Sequence, residues 1–105
     1  MADWPADAEA LMRSRYAAFE AGDTAWLLAS WHPSTRPARL ALEPGTKWLG
    51  LEVRGHRVID ADHAEVEFVA RSRAGGGRAS RLHERSRFVR EDGRWYYLVG
   101  DIIDT

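Results

Sequence analysis

Residues 82–101, LHERSRFVREDGRWYYLVGD, carry the strongest short-range folding signal of this chain, Asp92-Gly93. Both central residues of a type I′ turn need positive φ, and Asp-Gly supplies that at little cost. A two-residue loop predicts the register. Glu91 faces Arg94, Arg90 faces Trp95, Phe88 faces Tyr97, Ser86 faces Val99, and Glu84 faces Asp101. Alternation then puts Leu82, Glu84, Ser86, Phe88, Arg90, Trp95, Tyr97, Val99 and Asp101 on one face. The other face takes His83, Arg85, Arg87, Val89, Tyr96, Leu98 and Ile102. Neither is wholly polar, so both are expected to meet something.

Two more strands precede this hairpin. Trp48 to Ile59 alternates, with Leu49, Leu51 and Val53 on one face. Ala64 to Ser72 alternates again, with Val66, Phe68 and Ala70 inward. If Ala61-Asp62 is the loop between them, His56 faces Glu67 and Glu52 faces Arg71, complementary pairs on an outer face. Gly75-Gly76-Gly77 is a flexible link to the last hairpin. It lacks the Lys-Ser/Thr and the following helix of a phosphate loop.

Helices come first. Trp4-Pro5 is expected to open one, with Asp3 as its cap. Ala8, Leu11, Met12, Arg15, Tyr16 and Phe19 then recur at helical spacing. Arg15 is expected to lay its stem on this stripe with its head in water. Gly22 sits where a left-handed residue ends a helix. Asp23 caps a second, Thr24 to about Trp31, which buries Leu27, Leu28 and Trp31 and is stopped by Pro33. Residues 33–46 are Pro-rich, with Ser34 or Thr35 capping a short helical turn through Ala38 to Leu42. Pro44-Gly45 marks a turn.

The expected fold is α+β: N-terminal helices packed on a curved four-stranded antiparallel sheet, a cone with a cavity between the layers. The 105 residues suit one domain spanning 1–105, and 45% hydrophobic residues suffice for a packed core. The formal charge of −1 draws the chain to neither nucleic acid nor membrane, and with no Cys there is no thiolate metal site. The acidic start, MADWPADAEA, is no signal peptide, so a soluble cytoplasmic protein is expected.

Several stretches resemble the central domain of the YchJ-like bacterial proteins: LMRSRYAAF (11–19), WHPSTRP (31–37), W-x-G-L-E-V (48–53), VEFVAR (66–71) and HERSRFVREDGRWYY (83–97). The resemblance covers nearly the whole chain. It implies the nuclear-transport-factor-2-like, or cystatin-like, cone. Many members carry Cys-rich SEC-C segments thought to bind zinc. This chain has no Cys, so no role resting on those segments transfers to it. The cone hosts isomerases, dehydratases, hydrolases, binding modules and dimerisation modules, so it does not decide the function.

Glu84 and Asp101 are the candidate acid–base pair. Like charges held close, in a partly apolar cavity, push one carboxyl toward its neutral form. The plainer reading, and the favoured one, is a staple between Glu84 and Arg13 or Arg36. His32 is a further catalytic candidate near the cavity mouth, although a His at a helix C-terminus also suits the helix dipole. Tyr16, Trp31, Arg36, Trp48, Ser86 and Tyr97 are the expected pocket residues, most of the aromatics being packing residues. His56 and His63 look like surface residues, and His83 lies on the hairpin face away from Glu84. No metal site and no cofactor are expected. The arginines of 78–94 form a locally basic stretch, read as a solvated face paired with Glu65 and Glu67 rather than an RNA surface.

The expected function is a small-molecule-binding cone. The alternatives are an acid–base enzyme of isomerase, dehydratase or hydrolase type, using Glu84, Asp101, Tyr16 or His32, and an interaction or dimerisation module. A homodimer through Val89, Tyr96, Leu98 and Ile102 is expected, with no membrane or nucleic-acid partner.

Overall fold

The computed structural model describes residues 3–103. Two helices precede four strands: α1 (Ala8–Ala21), α2 (Thr24–Ala29), β1 (Thr46–Asp60), β2 (His63–Ala74), β3 (Ala79–Glu91) and β4 (Arg94–Ile102). The strands form one antiparallel meander in the order β1-β2-β3-β4. The expected α+β class and element order are both present.

The helices begin and end for local reasons. α1 starts after Asp7, whose carboxylate accepts the Ala10 N–H at 2.7 Å, and not after Asp3. Residues 4–7 run across to the sheet instead, because the Trp4 indole N–H donates to the Trp95 carbonyl at 2.8 Å. Gly22 ends α1 in the left-handed region at φ 72°, and the Asp23 side chain caps α2. α2 stops at Ala29, short of Trp31, because the chain there joins the sheet. Trp31 forms a parallel bridge with Tyr97, on the edge of β4. No helix forms at 38–42. The hydroxyls expected to cap it are used elsewhere: Thr35 Oγ1 donates to the Leu98 carbonyl at 2.6 Å, and Ser34 Oγ lies 2.7 Å from His32 Nδ1.

The core is the seam between α1 and the concave face of the sheet. Ala8, Leu11 and Met12 pack on Ala64, Val66, Phe68 and Ala70 of β2, Phe88 of β3 and Trp95 of β4. Leu27 of α2 is also fully buried.

The sheet curves because β1 carries more residues than its partner. β1 has 15 residues and β2 has 12, and the three extra ones make three bulges, at Leu49, Arg54 and Ile59. Each bulge bends the strand and increases its twist. The expected two-residue loop closes on Asp60 opposite His63, but the bulges then move the register. His56 faces Val66 and Glu52 faces Val69, so the expected pairs His56–Glu67 and Glu52–Arg71 do not form. Leu49, expected inward, is a bulge residue and is exposed.

A fourth bulge lies in β4. The Asp92-Gly93 turn has positive φ at both residues, and Glu91, Arg90 and Phe88 face Arg94, Trp95 and Tyr97 as predicted. Leu98 is then extra. Beyond it Arg87 faces Val99, Ser86 faces Gly100, Arg85 faces Asp101, and Glu84 faces Ile102. A one-residue slip flips every later side chain to the other face. Gly100 therefore takes the concave-side position expected for Val99, and Asp101 turns outward.

Candidate functional site

Between α1 and the sheet lies a cavity of about 270 Å³. Its walls are mostly apolar or aromatic: Met12 and Phe19 of α1, Trp48 of β1, Phe68 of β2, Leu82 and Phe88 of β3. Five side chains bring polar atoms to it: Arg15, Tyr16, Glu84, Ser86 and Tyr97. Trp31 lines it from the β4 edge, its ring edge-on to Tyr97 at 5.0 Å.

The feature that sequence reasoning misplaced is Arg15. Its side chain does not reach water; the residue is 6% exposed. Nη1 donates to the Leu27 carbonyl at 2.8 Å and to Ser30 Oγ at 2.6 Å, fixing α1 against α2. The guanidinium carbon lies 4.4 Å from the Tyr97 ring centroid and 5.3 Å from that of Trp31, close enough for cation–π attraction. Burial pulls its pKa down to about 10, against the opposing pull of Tyr97 and Glu84. It remains a cation at neutral pH. The signal was present in the sequence, since Arg15 occupies the inward stripe of α1. Acceptors on α2 let it stay there without water.

Glu84 enters from β3, on the alternation that also brings in Ser86 and Phe88. Ser86 Oγ donates to Glu84 Oε2 at 2.6 Å. The carboxylate lies over Gly100, where a side chain would collide with it. The Leu98 bulge thus makes room for Glu84 by putting a glycine opposite Ser86. Neither expected staple exists: Arg13 pairs with Glu9 at 3.1 Å, and Arg36 Nε donates to the Trp31 carbonyl at 2.9 Å. Arg15 and Glu84 line the same cavity, yet they form no ion pair within 4.0 Å.

The tyrosines feel the same apolar surroundings. Burial pushes the Tyr97 phenol up to about 12, and the Glu84 charge adds to this. Burial also raises Tyr16, with Glu20 next in effect. Both phenols are neutral hydrogen-bonding groups at physiological pH.

The other candidates lie elsewhere. Asp101 faces outward and binds Arg87 Nη2 at 3.0 Å, so it does not meet Glu84. His32 and Arg36 are not in the cavity wall. His32 packs on Tyr96, the outward neighbour of Tyr97, with its ring nitrogens 2.5 Å from Glu91 Oε2 and 2.7 Å from Ser34 Oγ. The Ser34 backbone N–H also donates to Nδ1, at 3.1 Å, which leaves Nε2 as the donor to Glu91. WHPSTRP is therefore an edge clip. The His32 N–H donates to the Tyr97 carbonyl, the Tyr97 N–H to Ser30, and Thr35 to the bulged Leu98. The clip covers the β4 edge, secures the bulge and sets Trp31 and Tyr97 into the cavity.

The outward side of HERSRF is paired. His83 is buried against Glu67 at 2.8 Å, and Arg85 reaches the same carboxylate at 3.4 Å. These contacts hold the Glu67 carboxyl below its ordinary range, His83 contributing most. Arg87 lies 4.0 Å from Glu65. A wider surface groove of about 990 Å³ runs between the end of α1 and residues 40–46. Glu20 and Glu43 are the charged groups among its described lining residues, so mixed chemistry concentrates in the smaller cavity.

Two helices closing a curved four-stranded meander over such a cavity define a nuclear-transport-factor-2-like domain. Residues 7–100 match the family model described as YchJ, middle NTF2-like domain. The chain belongs to this YchJ-like family, whose curated members carry the designation UPF0225. It is 70% identical to a UPF0225 protein of Polaromonas naphthalenivorans over 95 residues, 90% of this chain and 69% of the relative. A Bordetella pertussis relative is 57% identical over 99 residues, 91% of this chain and 72% of the relative. Among solved structures, a SEC-C motif containing protein from Rhodopseudomonas palustris superposes with a TM-score of 0.86 at 36% identity. That match covers 97% of this chain and 83% of the other.

Proposed function

We propose that this domain binds a small organic molecule in the cavity between α1 and the sheet. The observation that carries the reading is the separation of Arg15 and Glu84. A guanidinium and a carboxylate share one apolar cavity without closing on each other. Opposite charges at low dielectric attract strongly, and Arg15, pinned by Leu27 and Ser30, is kept from closing on Glu84, which leaves room between them. The volume of about 270 Å³ falls just below the ~300–1,000 Å³ of drug-sized sites, which suits a metabolite-sized ligand.

An acid–base enzyme is the second reading. It is favoured by one observation: no arginine clamps Glu84 directly. Its expected second carboxylate, Asp101, faces the other side of the sheet, so Glu84 would act as a single base beside the Tyr97 phenol. Two-dimensional amide and indole NMR, titrated with a panel of small aromatic compounds, tests the binding reading. Shifts should cluster at Arg15, Trp31, Ser86 and Tyr97. Shifts scattered over the outer face, or none, would remove the cavity as a site.

A further inference from the structure

We propose that the ligand of this cavity is a small aromatic zwitterion, its carboxylate held by Arg15 and its ammonium by Glu84. The inference rests on the reading of the cavity as a binding site and adds the ligand's chemical class. The Arg15 Nη1 atom is occupied by Leu27 and Ser30. Among the described residues, the remaining guanidinium N–H groups have no hydrogen-bond partner. Among the described residues no fully buried side-chain nitrogen lacks a partner, so these nitrogens keep some open surface, and Arg15 lines the cavity. On the facing wall, Ser86 occupies Glu84 Oε2 and leaves Oε1 available. Both ends are thus held by the protein on one side and presented to the cavity on the other.

Charge balance selects the class. The lining carries one cation and one carboxylate. A simple acid would pair Arg15 and leave the half-buried Glu84 beside a second negative charge. A simple amine would do the reverse. Burying an unpaired charge is costly, whereas a ligand carrying both charges pairs each end. The wall between them is Trp31, Trp48, Phe68, Phe88 and Tyr97, which suits a planar apolar body by edge and face contacts.

The experiment is an NMR titration with matched probes. Two are zwitterions of different charge spacing, phenylalanine and 4-(aminomethyl)benzoic acid. One is the anion 3-phenylpropionate, one the cation phenethylamine, and one the neutral 3-phenylpropanol. At least one zwitterion should bind tenfold or more tightly than both singly charged probes, with shifts at Arg15, Ser86 and Tyr97. In Glu84→Gln, which keeps the size of the side chain, its affinity should fall at least tenfold while that of 3-phenylpropionate holds or rises. A zwitterion no tighter than the anion or the neutral probe would overturn the ligand class and leave the cavity as a site. An unaltered preference in Glu84→Gln would do the same. Failure of all five probes to shift cavity resonances would overturn both.

Discussion

Replacing Arg15 by Met keeps an unbranched apolar stem on the α1 stripe while removing the charged head. The variant loses two hydrogen bonds from a charged donor, to Leu27 and Ser30, each worth about 1.5–3 kcal/mol. It also loses the contact with the Tyr97 face, worth about 2 kcal/mol where water is excluded. Against this stands relief from desolvation. A fall of the guanidinium pKa from 12.5 to about 10 corresponds to roughly 3 kcal/mol against the charged form. The net expectation is a loss of about 2–5 kcal/mol, seen as a melting temperature lower by roughly 10–25 °C in a domain of this size. Urea unfolding followed by tryptophan fluorescence measures it. A variant as stable as the parent, or more stable, would refute the claim that Arg15 holds α1 to α2. Its charge would then be kept only for what enters the cavity.

Gly100→Ala should be tolerated within about 1–2 kcal/mol, because the group it strikes is the mobile end of Glu84. It should nevertheless break the Ser86–Glu84 bond and impair binding, and a loss above about 4 kcal/mol in a thermal melt would mean that backbone, not the carboxylate, fills that space. Tyr97 ionises near 12 in the fold and near 10 when unfolded, so its contribution is complete below pH 10 and lost as pH rises through 12. Arg15 acts in the opposite sense above pH 10, so the comparison is with Tyr97→Phe, whose stability should fall less between pH 10 and 12; equal slopes would contradict the assignment. Labelled RNA at near-physiological salt should bind weakly or not at all, since Arg85, Arg87 and Arg90 have carboxylate partners; tight, salt-resistant binding would overturn this. A homodimer remains our proposal, now through the edge strand β1, which exposes Leu49, Val58 and Ile59; light scattering should give twice the 11.9 kDa monomer mass, and a strict monomer would remove it.

The proposed dimer surface differs from the expected one for a structural reason. Of the residues expected to form it, Tyr96 packs against Trp4 and His32, and the Leu98 bulge turns Ile102 to face Glu84. The sequence showed clearly whatever depends on a single residue's backbone preference. Gly22, Asp23 and Asp92-Gly93 each act within a few bonds, and each holds its expected place. Bulges are different. They spread one extra residue over a pair of strands, and no residue type marks them. Their traces here are isolated glycines, Gly50 and Gly55 directly after the bulges at Leu49 and Arg54, and Gly100 two residues past Leu98. Four bulges account for the lost pairs in β1 and for Asp101. Most of the cavity survived because Tyr16, Trp48, Glu84, Ser86 and Tyr97 lie on stretches whose facing the bulges left inward. Arg15 was misjudged because its acceptors, Leu27 and Ser30, come from another helix, and no spacing within α1 reveals them.

The central claim is that Arg15 and Glu84 are held apart to receive a ligand. A high-resolution crystal structure of the protein purified directly from cells, without added small molecules, tests it most directly. The account predicts density for a compact molecule bridging the Arg15 guanidinium and the Glu84 carboxylate beneath α1. A collapsed cavity, with Arg15 and Glu84 in direct contact, would contradict it.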